Sequence, residues 1–131
     1  SQSHINMMDA VMRFNYAYIY KNKRLEVYHA YARLILESVY KLLRECYDGT
    51  KTMNNIRLLA KDYPTLGRHF EKRMKKFSDS GRLEADPDEY GNKVIYKISD
   101  SEDDYKKACI DYIAGMTDTY AEKIFGEMTT F

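Results

Sequence analysis

Tryptophan is missing from this 131-residue chain, and histidine, cysteine and proline are scarce. Each scarcity removes a class of chemistry. The three histidines, His4, His29 and His69, are followed by Ile5, Ala30 and Phe70, and no two stand at i, i+3 or i+4. The chain therefore carries no pair of imidazoles on one helical face, the arrangement that a helical metal site needs. Two cysteines, Cys46 and Cys109, sit in apolar helical surroundings, which suits buried thiols in a reducing compartment better than a disulfide framework. No run of 18 apolar residues is present to span a bilayer, and nothing reads as a signal peptide. A cytoplasmic protein without a membrane partner is expected.

What is present is an ordinary globular balance, 44% hydrophobic and 31% charged, in a length that supports one core, so residues 1–131 are read as a single domain. Thirteen tyrosines and five phenylalanines make the aromatic content tyrosine-heavy. Tyrosine buries a ring while its hydroxyl seeks a partner, which suits the rim of a core or a subunit interface; a compositional habit is the other reading. The net charge of +1 hides an asymmetry. Residues 1–60 hold nine Lys/Arg against five Asp/Glu, residues 61–82 seven against three, and residues 83–131 five against twelve, which gives +4, +4 and −7. A basic front and an acidic back can orient the chain against a charged partner or against its own other half.

Periodicity predicts an all-α bundle of about five helices. Met8, Val11, Met12, Asn15 and Ile19 form a stripe over 5–21, and Tyr28, Tyr31, Ala32, Ile35, Val39, Leu42, Leu43 and Cys46 follow a 3.6-residue period over 26–47, up to a stop at Asp48-Gly49. The turn Asn22-Lys23-Arg24 implies an antiparallel pair. Thr52 is expected to cap a third helix carrying Ile56, Leu58 and Leu59, which the Tyr63-Pro64 step interrupts. A fourth runs from Thr65 to Ser80-Gly81. Between 83 and 99 the helical period vanishes, and turn chemistry around Pro87 and Gly91 with Val94–Ile98 predicts a loop, a short extended segment or a hairpin. Ser101 and Asp104 form a capping box for a closing helix that buries Tyr105, Cys109, Tyr112, Met116, Tyr120 and Ile124.

That closing helix carries Asp111-Tyr-Ile-Ala-Gly-Met-Thr-Asp-Thr-Tyr-Ala121, polar where a core helix would be apolar. Gly115 falls in its interior, where Gly costs roughly 1 kcal/mol against Ala, and so suggests close approach of a backbone or ligand. Asp104, Asp111 and Asp118 recur every seven residues, which on one helix lines them on one side, either as a solvated face or as a surface for docking. Tyr112 and Tyr120 either reach toward a ligand pocket or fill a joint. Arg68, Lys72, Arg73, Lys75, Lys76 and Arg82, with His69, Phe70 and Phe77, make the segment 66–82 strongly cationic. It reads as a solvated face, or as a surface for single-stranded nucleic acid or an effector nucleotide.

The 111–121 stretch resembles the C-terminal signature Asp-Tyr-Ile-Ala-Gly-Met-Thr-Asp-Arg-Tyr-Ala of the dGTP triphosphohydrolase-like branch of HD-domain phosphohydrolases, with ten of eleven positions matching and Thr119 in place of Arg. Phe14-Asn-Tyr-Ala-Tyr-Ile-Tyr20 before Lys21-Asn-Lys-Arg24 is similar to the helix that opens the region after the catalytic core in such enzymes. The resemblance implies the HD-associated C-terminal domain of a dNTP triphosphohydrolase. A parent enzyme would hold a divalent metal such as Mg or Mn on an upstream HD domain, form a homo-oligomer and split dNTPs into deoxynucleoside and triphosphate. No catalytic or metal residue is then expected in this chain, which alone would be inactive. Ser1-Gln-Ser-His4 is not a natural translation start and reads as an artificial boundary or a processed end. Asp111, Tyr112, Gly115, Asp118 and Tyr120 become candidates for substrate binding or for docking on the catalytic region, with Arg68, Lys72, Arg73, Lys75 and Lys76 as candidates for nucleic acid or effector. Thr119 supplies only a short neutral hydroxyl, so a contact made by the family's Arg cannot be copied there.

Overall fold

The periodic run that begins at Glu26 folds as α1, Glu26–Glu45, in the computed structural model of the protein, which describes residues 6–11 and 26–129. Ile35, Leu36, Val39 and Leu43 are buried along one side, as the 3.6-residue period requires. Tyr31, expected in that stripe, is exposed and meets Phe125 edge-on at 5.4 Å. Residues 6–11 are helical and place Met8 in the core. The rest of the predicted first helix, the turn at 22–24 and the stretch Phe14–Arg24 lie outside the described residues. Past α1 the chain reverses at Gly49, whose φ of +52° is in the left-handed region that glycine adopts without strain.

Thr52 does not cap the next helix but is its first residue. Its buried hydroxyl accepts from the Asp48 N–H at 2.9 Å and donates to the Gly49 carbonyl at 2.8 Å, which fastens a single 3-10 turn, Gly49–Lys51, onto α2, Thr52–Asp62. Tyr63 breaks the helix and Pro64 opens α3, Pro64–Phe77, at a position where a missing N–H costs nothing. Gly67 lets the two helices close: a Cβ there would lie 2.4 Å from Ala60 Cα. The first amides of α3, at Thr65 and Leu66, donate to the Glu127 carboxylate at 3.1 and 3.3 Å.

The predicted fourth helix is split at Ser78. The Ser78 hydroxyl donates to the Met74 carbonyl at 2.6 Å and accepts from the Gly81 N–H at 2.9 Å, capping a separate turn, α4, Asp79–Arg82. The freed end of α3 is taken up by the stretch after it. Phe77 O accepts from the N–H groups of Ile95 and Tyr96, and Asp79 N–H donates to Tyr96 O, giving an isolated parallel bridge between Ser78 and Tyr96. No hairpin forms among the described residues. Tyr96 and Ile98 are buried while Ile95 and Lys97 are exposed, the two-residue alternation of an extended segment. The Arg82 guanidinium gathers the carbonyls of Lys75, Lys76, Tyr90 and Asn92 and so ties down the intervening loop.

Ser101 caps α5, Glu102–Ala114, by accepting from the Asp104 N–H at 3.2 Å. The Asp104 carboxylate takes the Lys97 N–H at 2.8 Å rather than closing the box on Ser101. A second break separates α5 from α6, Asp118–Thr129, so that each of two expected helices is divided and the count exceeds five. One apolar cluster runs from Met8 through α1 to Ile124, with α1 lying on both α5 and α6. Tyr105 is fully buried and its hydroxyl donates to Leu43 O, a carbonyl of the last turn of α1 that also accepts from the Cys46 N–H at 3.2 Å. Phe70 meets Tyr105 and Tyr112 edge-on at 6.1 and 5.3 Å. Cys46 and Cys109 are free, buried thiols.

Candidate functional site

The eleven-residue motif is a helix–turn–helix corner and not a helix interior. The Gly115 N–H closes α5 on the carbonyls of Asp111 and Tyr112, both at 3.2 Å, and Met116 N–H on Ile113 O at 3.1 Å. Thr117 Oγ1 then accepts from the Tyr120 N–H at 3.1 Å and starts α6. Gly115 is exposed with φ −85°, and a Cβ added there would meet nothing nearer than 3.6 Å. Among the described residues the close approach expected at Gly115 is not made there; it occurs at Gly67 and Gly81. The break also turns Asp118 onto a different helix from Asp104 and Asp111, so the three do not form one acidic line.

Beside this corner α3 presents His69 and Arg73, and the two sides enclose an open pocket of about 360 Å3 lined by His69, Arg73, Tyr112, Gly115, Met116, Thr117 and Tyr120. His69 Nδ1 and the Tyr120 hydroxyl lie 2.7 Å apart with their rings stacked, and the Tyr120 and Tyr112 hydroxyls lie 2.5 Å apart. Burial pushes the Tyr112 phenol well above its ordinary range, the Tyr120 bond adds to this, and the Arg73 charge opposes it. Burial also raises Tyr120, against a lowering by its bond to Tyr112. Both phenols thus stay protonated at neutral pH and serve as neutral donors and acceptors.

Behind the pocket, Tyr96 donates to Asp111 Oδ2 at 2.5 Å. Burial raises the Tyr96 phenol, the bond to Asp111 raises it further, and the adjoining Arg73 guanidinium pulls it back through hydrogen bonding and charge. Arg73 Nε is buried without a hydrogen-bond partner among the described residues, and the guanidinium carbon stands 5.2 Å from the Phe77 ring centre. A second open pocket of about 310 Å3 continues past His69 and Arg73 to Lys72, Lys76, Phe77 and Tyr90.

The motif and the cationic helix thus meet on one surface through Arg73. Tyr112, Gly115 and Tyr120 from the motif face Arg73 from the cationic helix; Asp111 sits behind them, half-buried, and Asp118 is half-buried in the first turn of α6. Arg68, Lys72 and Lys76 are exposed on α3, whereas half-buried Lys75 reaches Glu71 at 3.8 Å and Arg82 is occupied by backbone carbonyls. Tyr96 and Glu127 were not singled out from the sequence. The alternation through Val94, Tyr96 and Ile98 marks the first as inward-facing; nothing local marks the second.

Among the described residues no three His, Cys, Asp or Glu side chains gather as a metal site, so these residues offer a divalent ion no ligand set. No described helix is long and apolar enough to cross a membrane. Residues 80–127, from α4 to near the end of α6, match the family model of the phosphohydrolase-associated domain. That span holds the motif, Tyr96 and Asp111 but not His69 or Arg73. No curated protein and no solved structure matches the chain.

Proposed function

We propose that the chain is the helical associated domain of an HD-type deoxynucleoside triphosphate triphosphohydrolase, bracing a metal-dependent catalytic body and forming one wall of its nucleotide site. The observation that carries this reading is the convergence of Tyr112, Gly115, Met116, Thr117 and Tyr120 with His69 and Arg73 on one open pocket, at the segment that matches the phosphohydrolase-associated model. A motif selected only for packing would be spent in the core. Here its turn stands at the surface, with a guanidinium and two phenols directed to the same space. Exposed Gly115 leaves room for another helix to approach the rim, and the phenols and Arg73 orient a polar ligand without themselves reacting. In the parent reaction a divalent ion held by the catalytic body activates water against the dNTP, releasing deoxynucleoside and triphosphate. Association into a homo-oligomer belongs to the same reading.

The test joins this chain to a catalytic body bearing the His-Asp pair and follows triphosphate release from each dNTP. The expected result is hydrolysis that needs both parts and falls when Tyr120 or Arg73 is changed. Hydrolysis by the catalytic body alone at the same rate would refute the bracing role. A second reading is favoured by the exposed Lys72 and Lys76 beside Phe77 and Tyr90, with Arg68 exposed on the same helix: a surface for single-stranded nucleic acid. Binding whose logarithm falls linearly with the logarithm of salt concentration would support it.

A further inference from the structure

Arg73 is the one cation shared by the two adjoining pockets, and among the described residues no carboxylate lies within ion-pair distance of it. The nearby acids are already engaged: Asp111 accepts from Tyr96, and Glu127 holds the first amides of α3. The buried Arg73 Nε has no hydrogen-bond partner among the described residues, and a buried donor left unpaired is costly. The five donors of the guanidinium in a planar fork match phosphate oxygens. Around it stand the Tyr112 and Tyr120 hydroxyls and His69, with Lys72 and Lys76 along the second pocket. We propose that Arg73 binds the phosphate chain of a polyphosphate ligand at the junction of the two pockets. This deepens the reading above and rests on it only for the choice of nucleotide. Binding by the chain alone does not depend on docking to a catalytic body, so either can fail while the other stands.

The full chain is titrated with inorganic tripolyphosphate, dGTP and deoxyguanosine, followed by calorimetry and by the NMR signals of His69. Tripolyphosphate and dGTP are expected to bind saturably and deoxyguanosine not to bind. Equal affinity for the first two identifies a free polyphosphate as sufficient, and tighter dGTP binding identifies a nucleotide; both support the proposal. Loss of one charge-assisted hydrogen bond in Arg73→Gln should weaken binding about tenfold at an unchanged melting temperature. Should that variant fail to fold, Arg73→Lys keeps the charge without the fork and should still bind less tightly. Absence of binding by the unaltered chain, equal affinity after Arg73→Gln, or binding of deoxyguanosine in place of tripolyphosphate would each overturn the proposal.

Discussion

Glycines that look alike in the sequence do opposite things here, and the difference is measurable. A Cβ on Gly67 would sit 2.4 Å from Ala60 Cα and 2.6 Å from its Cβ, so Gly67→Ala must push α2 and α3 apart. A cost of about 1–3 kcal/mol is expected from overpacking of this kind. Gly126 lies within α6 with nothing within 4 Å of an added Cβ. Gly126→Ala should raise stability by about 0.5–1 kcal/mol, since Ala has less chain freedom to lose in a helix. Denaturant midpoints of the two variants should move in opposite directions; a neutral Gly67→Ala would mean that the helices do not close at that point. Gly115→Ala is sterically permitted, so any defect it causes in an assembly with a catalytic body belongs to the partner's approach and not to the fold.

At the scale of elements, the start of α3 is satisfied by another helix rather than by a local cap. Neither Tyr63 nor any nearby side chain caps α3; Glu127 does so from 61 and 62 residues away. A carboxylate at a helix N-terminus gains both hydrogen bonds and the favourable end of the helix dipole. Glu127→Ala should cost about 1 kcal/mol, and Glu127→Gln, which keeps an acceptor but loses the charge, should cost less. Amide exchange at Thr65 and Leu66 should quicken in step, and unchanged exchange there would show that the cap is not formed in solution. This device explains what could and could not be foreseen. The helices were legible because their apolar positions repeat every 3.6 residues, and the Pro64 break and Ser101 cap are written in local residue types. The breaks at Ser78 and at 115–117 were not, because the apolar period runs on across the local Ser78 and Thr117 hydroxyls that cap the new turns, and at Ser78 the freed backbone is also paired with Tyr96, remote in sequence.

Across the whole molecule the candidate site was half legible for the same reason. The motif could be seen as unusual, and the basic segment as cationic, but their meeting depends on α6 folding back against α3, fixed by Glu127 and by the contact of His69 with Tyr120. Tyrosine supplies much of this joinery, and its burial makes the fold sensitive to base. Burial raises the phenols of Tyr96, Tyr105, Tyr112 and Tyr120 above the ordinary value of 10.0, and raises the Cys46 thiol from 9.0 to about 11. In every case the folded state keeps its proton to higher pH than the unfolded chain does. Each group's contribution is therefore fully present below its unfolded pKa and is lost as pH rises through the folded one. Burial raises the Cys109 thiol from 9.0 as well, so for both thiols the loss begins near pH 9.0, running to about 11 for Cys46, and the tyrosines add to it only above 10.0. Stability should be flat between about pH 7 and 8.5 and fall steeply beyond 9. Changing both Cys46 and Cys109 to Ala, although it lowers the plateau through small cavities, should move the onset of the fall toward the tyrosine range, whereas Cys46→Ala alone should only make the fall between about pH 9 and 11 shallower. Urea midpoints across this range measure both effects. An onset unmoved by the double change would mean that both thiols are as hydrated in the folded protein as in the unfolded chain, and that the seam between α1 and α5 around Tyr105 is open to water.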